Sequence, residues 1–164
     1  MTQGASPATG GPASQTSGPS LTYLAPDELQ QGKGNLVQLP RPLRGQPGYA
    51  HALTVACPSN QTTDLFREVV YPLAQRYLTF ETTVVPYREP AADRLVTVEV
   101  LVGRLQRDGT TRVEEAGAAR SVRVGAQQPM RVAVEGAQDL RVRVTCERPD
   151  LVVVLAEPRL TPLS

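Results

Sequence analysis

The sequence predicts an all-β protein, a sandwich or barrel of about nine short strands with turn signals roughly every 8–12 residues. Two observations carry this. Valines alternate along the chain: residues 94–103 read RLVTVEVLVG, residues 131–134 RVAV and residues 141–144 RVRV. Branched apolar residues at every second position, with Arg, Thr or Glu between them, suit strands that bury one face and wet the other. In addition, no stretch of comparable length spaces its apolar residues for a helix. A valine-lined interior offers little chemistry, so function belongs to the loops.

Taken in order, residues 1–19 are Gly, Pro, Ser, Thr, Ala and Gln without charge or a large apolar side chain after Met1. Such a segment cannot bury enough surface to offset its ordering entropy and is expected to be a disordered tether or tail. The folded domain is expected over residues 20–164. LTYL opens it as a short strand, and Pro26 and Asp27 start a turn with one helical turn over residues 27–31. NLVQLPRPL (residues 35–43) can hold a strand only at a sheet edge, because Pro40 and Pro42 cannot donate to a ladder. GYAHALTVAC (residues 48–57) is expected as a strand closed by Pro58 and Ser59. FREVVYPL (residues 66–73) and RYLTFETTVVPY (residues 76–87) flank a tight connection at Ala74 and Gln75. REPAAD (residues 88–93) is a loop, and the long valine strand runs over residues 94–106 to a hairpin turn at Arg107, Asp108 and Gly109. Pairing over residues 111–113, a loop at EEAGAA, and strands over residues 121–124, 130–135, 140–146 and 151–156 complete the set.

Length and composition exclude several classes of function. At 164 residues one domain is expected, large enough to bury a core without metal or many disulfides. Seventeen basic residues against sixteen acidic ones leave a net charge of +1. With no basic stripe interleaved with aromatics, nucleic acid is not expected as a partner. The longest apolar runs fall far short of the roughly 20 residues that cross a bilayer, so no transmembrane segment is expected. Met1 is followed by neither a charged start nor an apolar block. The chain is therefore expected to be intracellular or, the favoured reading, a segment excised from a longer protein.

Histidine is the usual proton shuttle and metal ligand, and the chain has one, His51, expected within a strand in a structural role. There is no nucleophile elbow, phosphate-binding glycine loop, CxxC or H-E-x-x-H. Glu114 and Glu115 read as a solvated acidic turn. No enzyme activity, cofactor or metal site is expected. Cys57 and Cys146 fall at the ends of expected strands; the alternatives are a disulfide between them or two buried thiols acting as small apolar residues. An even count without metal-type spacing favours the disulfide, which implies an oxidising compartment.

The order of features resembles the NPCBM/NEW2 family of carbohydrate-binding-type modules. A short Y-L strand (Tyr23, Leu24) precedes a Tyr-containing strand of the G-L-G-V-H-A type, here residues 49–59. A V-x-Y-x-L-x-x-x-Y-x-x-F stretch is matched by Val69, Tyr71, Leu73, Tyr77 and Phe80. The D-G turn at Asp108 and Gly109 follows. Next comes a V-x-V-x-G-x-x-x-L-R-L-x-V segment, matched by Val132, Val134, Gly136, Leu140, Arg141, Val142 and Val144. The last strand carries Glu157, Pro158, Arg159 and Leu160 where the family has D-P/A-R-L. The resemblance implies a jelly-roll, galactose-binding-like β-sandwich. It also marks departures: Cys57 stands for the family's His, Val85–Pro86–Tyr87–Arg88–Glu89 for its acidic G-x-D-D loop, and residues 150–154 for its D-H-x-x-W-A segment. The scaffold carries over more fully than the ligand residues.

Two functions follow as expectations. One is a non-catalytic extracytoplasmic module that binds a cell-wall or extracellular glycan. The other is an extracellular sensor or protein-interaction domain of a bacterial membrane protein, such as a receptor-like serine/threonine kinase, that binds no sugar. Recognition is expected at loops gathered at one end, or on a shallow face, at residues combining planar polar groups with an aromatic: Tyr49, Tyr87, Arg88 and Glu89. Arginine and carboxylate groups can hydrogen-bond vicinal hydroxyls, while a tyrosine ring can lie against a sugar's apolar face.

Overall fold

The valine alternation builds the two longest strands of one sheet. The computed structural model describes residues 21–163, so the tether expected over residues 1–19 lies outside them. Among the described residues there are eleven strands: β1 (Thr22–Tyr23), β2 (Leu36–Val37), β3 (Leu53–Ala56), β4 (Arg67–Pro72), β5 (Tyr77–Tyr87), β6 (Leu95–Leu105), β7 (Thr111–Glu115), β8 (Arg120–Arg123), β9 (Gln128–Ala133), β10 (Asp139–Cys146) and β11 (Val152–Pro162). The first sheet runs β2-β3-β11-β5-β9, with β1 also paired to β11; the second runs β4-β10-β6-β7, with β8 also paired to β6. All pairings are antiparallel. The fold is an all-β jelly-roll sandwich.

The alternation does what its period demands. Val96, Val98, Val100 and Val102 of β6, with Val142 and Val144 of β10, face Phe80, Val84, Val153, Leu155 and Leu160 of the first sheet in one buried cluster. Burying each of these side chains is worth roughly 1.5–3 kcal/mol. The other face of the second sheet carries charge laid out across strands: Arg143 of β10 contacts Glu68 of β4 at 2.9 Å and Glu99 of β6 at 3.9 Å. Gly103, inside β6, leaves room for the buried Asp139 carboxylate, because a Cβ there would sit 2.5 Å from Oδ1. Asp139 in turn accepts hydrogen bonds from Arg141.

Cys57 and Cys146 are joined in a disulfide. Cys57 follows β3 in the first sheet and Cys146 ends β10 in the second, so the bond staples the two layers at one end. Around it, Asn60 Nδ2 donates to the Cys146 carbonyl at 3.0 Å, and Asp64 accepts from the Ser59 N–H and, bidentately, from Arg67.

Several local expectations need correction. The strand expected over residues 48–57 begins only at Leu53, since Gly48 has φ +90 and the Ala52 N–H closes a turn onto Tyr49. His51 therefore sits exposed in a turn rather than within a strand, its ring stacked on Tyr23 with centroids 3.8 Å apart. Over residues 35–43 only Leu36–Val37 pair; a 3-10 turn at Arg41–Leu43 follows, because two prolines remove the donors a longer strand needs. Glu114 and Glu115 belong to β7 and not to a loop, and Glu114 pairs with Arg104 across the ladder. The last strand, expected over residues 151–156, extends to Pro162, past the interruption at Pro158. A β-bulge after Ala156 absorbs the interruption.

Candidate functional site

A segment of the chain straps the outer face of the first sheet. Leu39, Leu43, Tyr49 and Ala52 pack on Val85, Val154, Ala156 and Tyr87, forming a second apolar cluster outside the sandwich core. The strap holds its own shape: Arg44 Nε donates to the Leu39 carbonyl at 2.7 Å, and Gln46 Nε2 to the Pro42 carbonyl at 2.6 Å. Alternation on β5 places Val85 and Tyr87 on this outer face, with Phe80 and Val84 in the core.

At the end of β5 the chain turns away with Arg88 and Glu89. The Tyr87 hydroxyl donates to Glu89 Oε2 at 2.5 Å. Arg88 Nε donates to Asp150 Oδ2 at 2.8 Å, and its Nη1 to the Pro90 carbonyl at 2.8 Å. Arg148 adds a second cation to Asp150 at 3.3 Å. The carboxylate of Glu89 pushes the Tyr87 phenol above its ordinary pKa, and the hydrogen bond from Arg88 holds the Asp150 carboxyl below the usual carboxylate range. Through the neutral pH range Tyr87 is thus a neutral hydroxyl and Arg88–Asp150 a standing ion pair.

Two hollows flank this wall. One, of about 400 Å³, is lined by Pro40, Tyr87, Arg88, Glu89, Asp150 and Val152. The other, of about 270 Å³, is lined by Tyr49, Gln46, Leu43, Tyr87, Arg88 and residues 124–127 among others. Both depressions are open, with aromatic and planar polar groups at their rims, which suits weak recognition of a polar, flat-faced ligand. Tyr49, Tyr87, Arg88 and Glu89 are therefore brought together although 38 residues separate the two tyrosines in the chain. Asp150, which orients Arg88, is signalled by the sequence only as the first residue of the segment that stands for the family's D-H-x-x-W-A. The strap residues Leu43 and Gln46 carry no signal at all. Among the described residues no cluster of His, Cys, Asp and Glu could hold a metal ion, and no helix is long and apolar enough to cross a membrane.

No family model and no curated protein matches the sequence. The fold, by contrast, has counterparts among solved structures. It is similar to the tandem CBM22-1–CBM22-2 domain of Paenibacillus barcinonensis Xyn10C, with a TM-score of 0.56 and 10% identity over 90% of this chain and 46% of that one. It is also similar to the CBM22-1 xylan-binding domain of the same protein, with a TM-score of 0.50 and 12% identity over 69% of this chain and 72% of that one. These structural neighbours are carbohydrate-binding modules. At such identities the likeness shows the jelly-roll fold and leaves ligand chemistry to the residues described above.

Proposed function

We propose that this chain is a non-catalytic glycan-binding module of the NPCBM/NEW2 type, acting outside the cytoplasm on a cell-wall or extracellular glycan. The observation that carries the proposal is the convergence of Tyr49, Tyr87, Arg88 and Glu89 around two open hollows at one end of the sandwich. A guanidinium and a carboxylate lining one hollow can hydrogen-bond vicinal hydroxyls, and a tyrosine face can lie against the apolar face of a pyranose. The kinship of the fold with a xylan-binding domain supports the same reading. The disulfide supports an oxidising location.

Hydrolysis is disfavoured by the state of the carboxylates. A glycosidase needs two acids, one with a raised pKa to protonate the leaving group. Here both carboxylates that line the hollow are already engaged, Asp150 by the Arg88 guanidinium and Glu89 by the Tyr87 hydroxyl.

Glycan-array screening of the full chain tests the proposal, followed by titration of any hit against Tyr87→Ala and Arg88→Ala. Loss of one charge-assisted hydrogen bond or one stacking face should weaken binding by about tenfold or more. An array without hits would favour the other reading, a sensor or protein-interaction domain of a bacterial membrane protein.

A further inference from the structure

The outer face of the first sheet carries a second, independent arrangement beyond the strap. Ladder pairing puts Tyr23 of β1 opposite Arg159 of β11, Arg159 opposite Glu81 of β5, and Glu81 opposite Arg131 of β9. Directly opposed residues share a face, so these four side chains form one row across four strands. At about 4.8 Å per strand the row spans roughly 14 Å. His51 stacks on Tyr23 at its head, with ring planes 10° apart. The rows beside it are short: Thr161, Thr79 and Ala133 on one side, Ala156, Thr83 and Pro129 on the other.

The row exists because β11 breaks its own alternation. From Ala156 to Arg159 β11 advances three residues while β5 advances two, from Thr83 to Glu81. One extra residue reverses which side chains face out. Without it Arg159 would enter the core and Leu160 would leave it. The bulge holds Glu157 at φ +47, a left-handed conformation uncommon for a residue with a Cβ. The Ala156 carbonyl accepts a hydrogen bond from the buried Thr82 hydroxyl at 2.9 Å. Strained, bulged backbone concentrates where a side chain must be re-aimed, and the side chain re-aimed here is Arg159.

The polar groups remain available. Arg159 and Glu81 meet at 3.3 Å with side chains 28% and 29% exposed. Arg131 is exposed and makes no ion pair among the described residues. Arg159 and Arg131 are balanced by Glu81 and by Glu157, whose carboxylate lies beside Gly48 of the strap, so the surface selects against a polyanion. A hollow of about 320 Å³ opens beside Tyr23 and His51. It meets, at Pro26 and Ala52, a neighbouring hollow lined by Thr54, whose buried Oγ1 has no hydrogen-bond partner among the described residues.

We propose that the row Tyr23/His51–Arg159–Glu81–Arg131 is a platform for an extended, uncharged oligosaccharide lying across the strands of the first sheet. This deepens the glycan-binding reading, on which it rests: the end site would take a sugar terminus, and the platform several consecutive residues of a chain. Alternating planar donors and acceptors at strand spacing, headed by an aromatic stack, match the hydroxyl pattern of a linear chain rather than that of one sugar.

Affinity electrophoresis of the full chain in native gels containing xylan, mannan or hydroxyethylcellulose tests it, beside an array of immobilised mono- and disaccharides. Retardation by at least one polysaccharide is expected. Its apparent affinity should fall about tenfold or more in Arg131→Ala and in Tyr23→Ala and stay level in Arg112→Ala, an exposed change on the second sheet. Affinity for oligomers of that polysaccharide should tighten from monomer to trimer. Arg131 lies exposed on an edge strand, and unchanged melting of its variant separates lost binding from lost fold. Retardation abolished by Tyr87→Ala but indifferent to Arg131→Ala and Tyr23→Ala overturns the platform. Array binding without retardation in any gel overturns the platform and leaves the glycan-binding reading standing; silence in both assays overturns both.

Discussion

Reduction of the disulfide is the perturbation whose effect can be worked most directly from the fold. Cys57 and Cys146 lie 89 residues apart, so the bond closes more than half of the chain into a loop. The loop-entropy relation for about 90 residues gives roughly 15.5 cal/mol/K, or about 4.6 kcal/mol at 25 °C. The native state should hardly register the loss. Asn60 on the Cys146 carbonyl, Ser59 on Asp64 and the two Arg67 bonds to Asp64 hold the same corner without the sulfurs. The effect therefore falls on the unfolded chain, which becomes freer once reduced. Urea unfolding followed by far-ultraviolet circular dichroism, with and without reductant, should show stability falling by about 3–5 kcal/mol. The m-value should rise, because the reduced unfolded chain exposes more surface. For a domain of this size the melting temperature should drop by roughly 10–18 °C. A change below about 1 kcal/mol, or two titratable thiols in unfolded, unreduced protein, would refute the reasoning.

Two further outcomes follow from the core and the disulfide corner. Phe80, fully buried between the sheets, should cost about 3–5 kcal/mol in urea unfolding when changed to Ala, because the surrounding valines cannot collapse into the space. Asp64 is held well below its ordinary pKa of 3.8, first by Arg67 and then by Ser59. A folded pKa below the unfolded one stabilises the protein above the unfolded value, and that contribution is lost as pH falls beneath 3.8. Asp64→Asn should thus lower stability at neutral pH and flatten the acid limb of the stability curve; an unchanged acid limb would remove Asp64 from its causes.

The sequence goes furthest where one physical rule acts alone. Along β6 and β10 the valine alternation has no competing signal, and β4 and β5 lie within a residue or so of their expected bounds. It fails where short side chains blur the period. In GYAHALTVAC the alanines fit a strand or a turn equally well, and the turn wins because Gly48 adopts a positive φ and the strap must cross the sheet. At Pro158 it fails for the opposite reason. Proline cannot donate to a ladder, yet a bulge carries the strand past it with the register shifted by one residue.

The candidate site divides in the same way. Tyr87, Arg88 and Glu89 are legible because they are contiguous at the end of a clear strand, and planar polar groups beside an aromatic ring have a recognisable chemistry. Tyr49 joins them only because residues 38–52 fold back over Val85 and Val154. Asp150 reaches Arg88 from 62 positions away. Composition and alternation by themselves determine an all-β sandwich, poor in catalytic groups and with two cysteines at strand ends, because burial of every second residue is a local rule. The tertiary structure alone decides which loops meet, that the cysteines meet across the sheets, and that Arg159 faces outward. Those outcomes depend on pairing between distant strands, where one extra residue in one partner reverses every side chain beyond it.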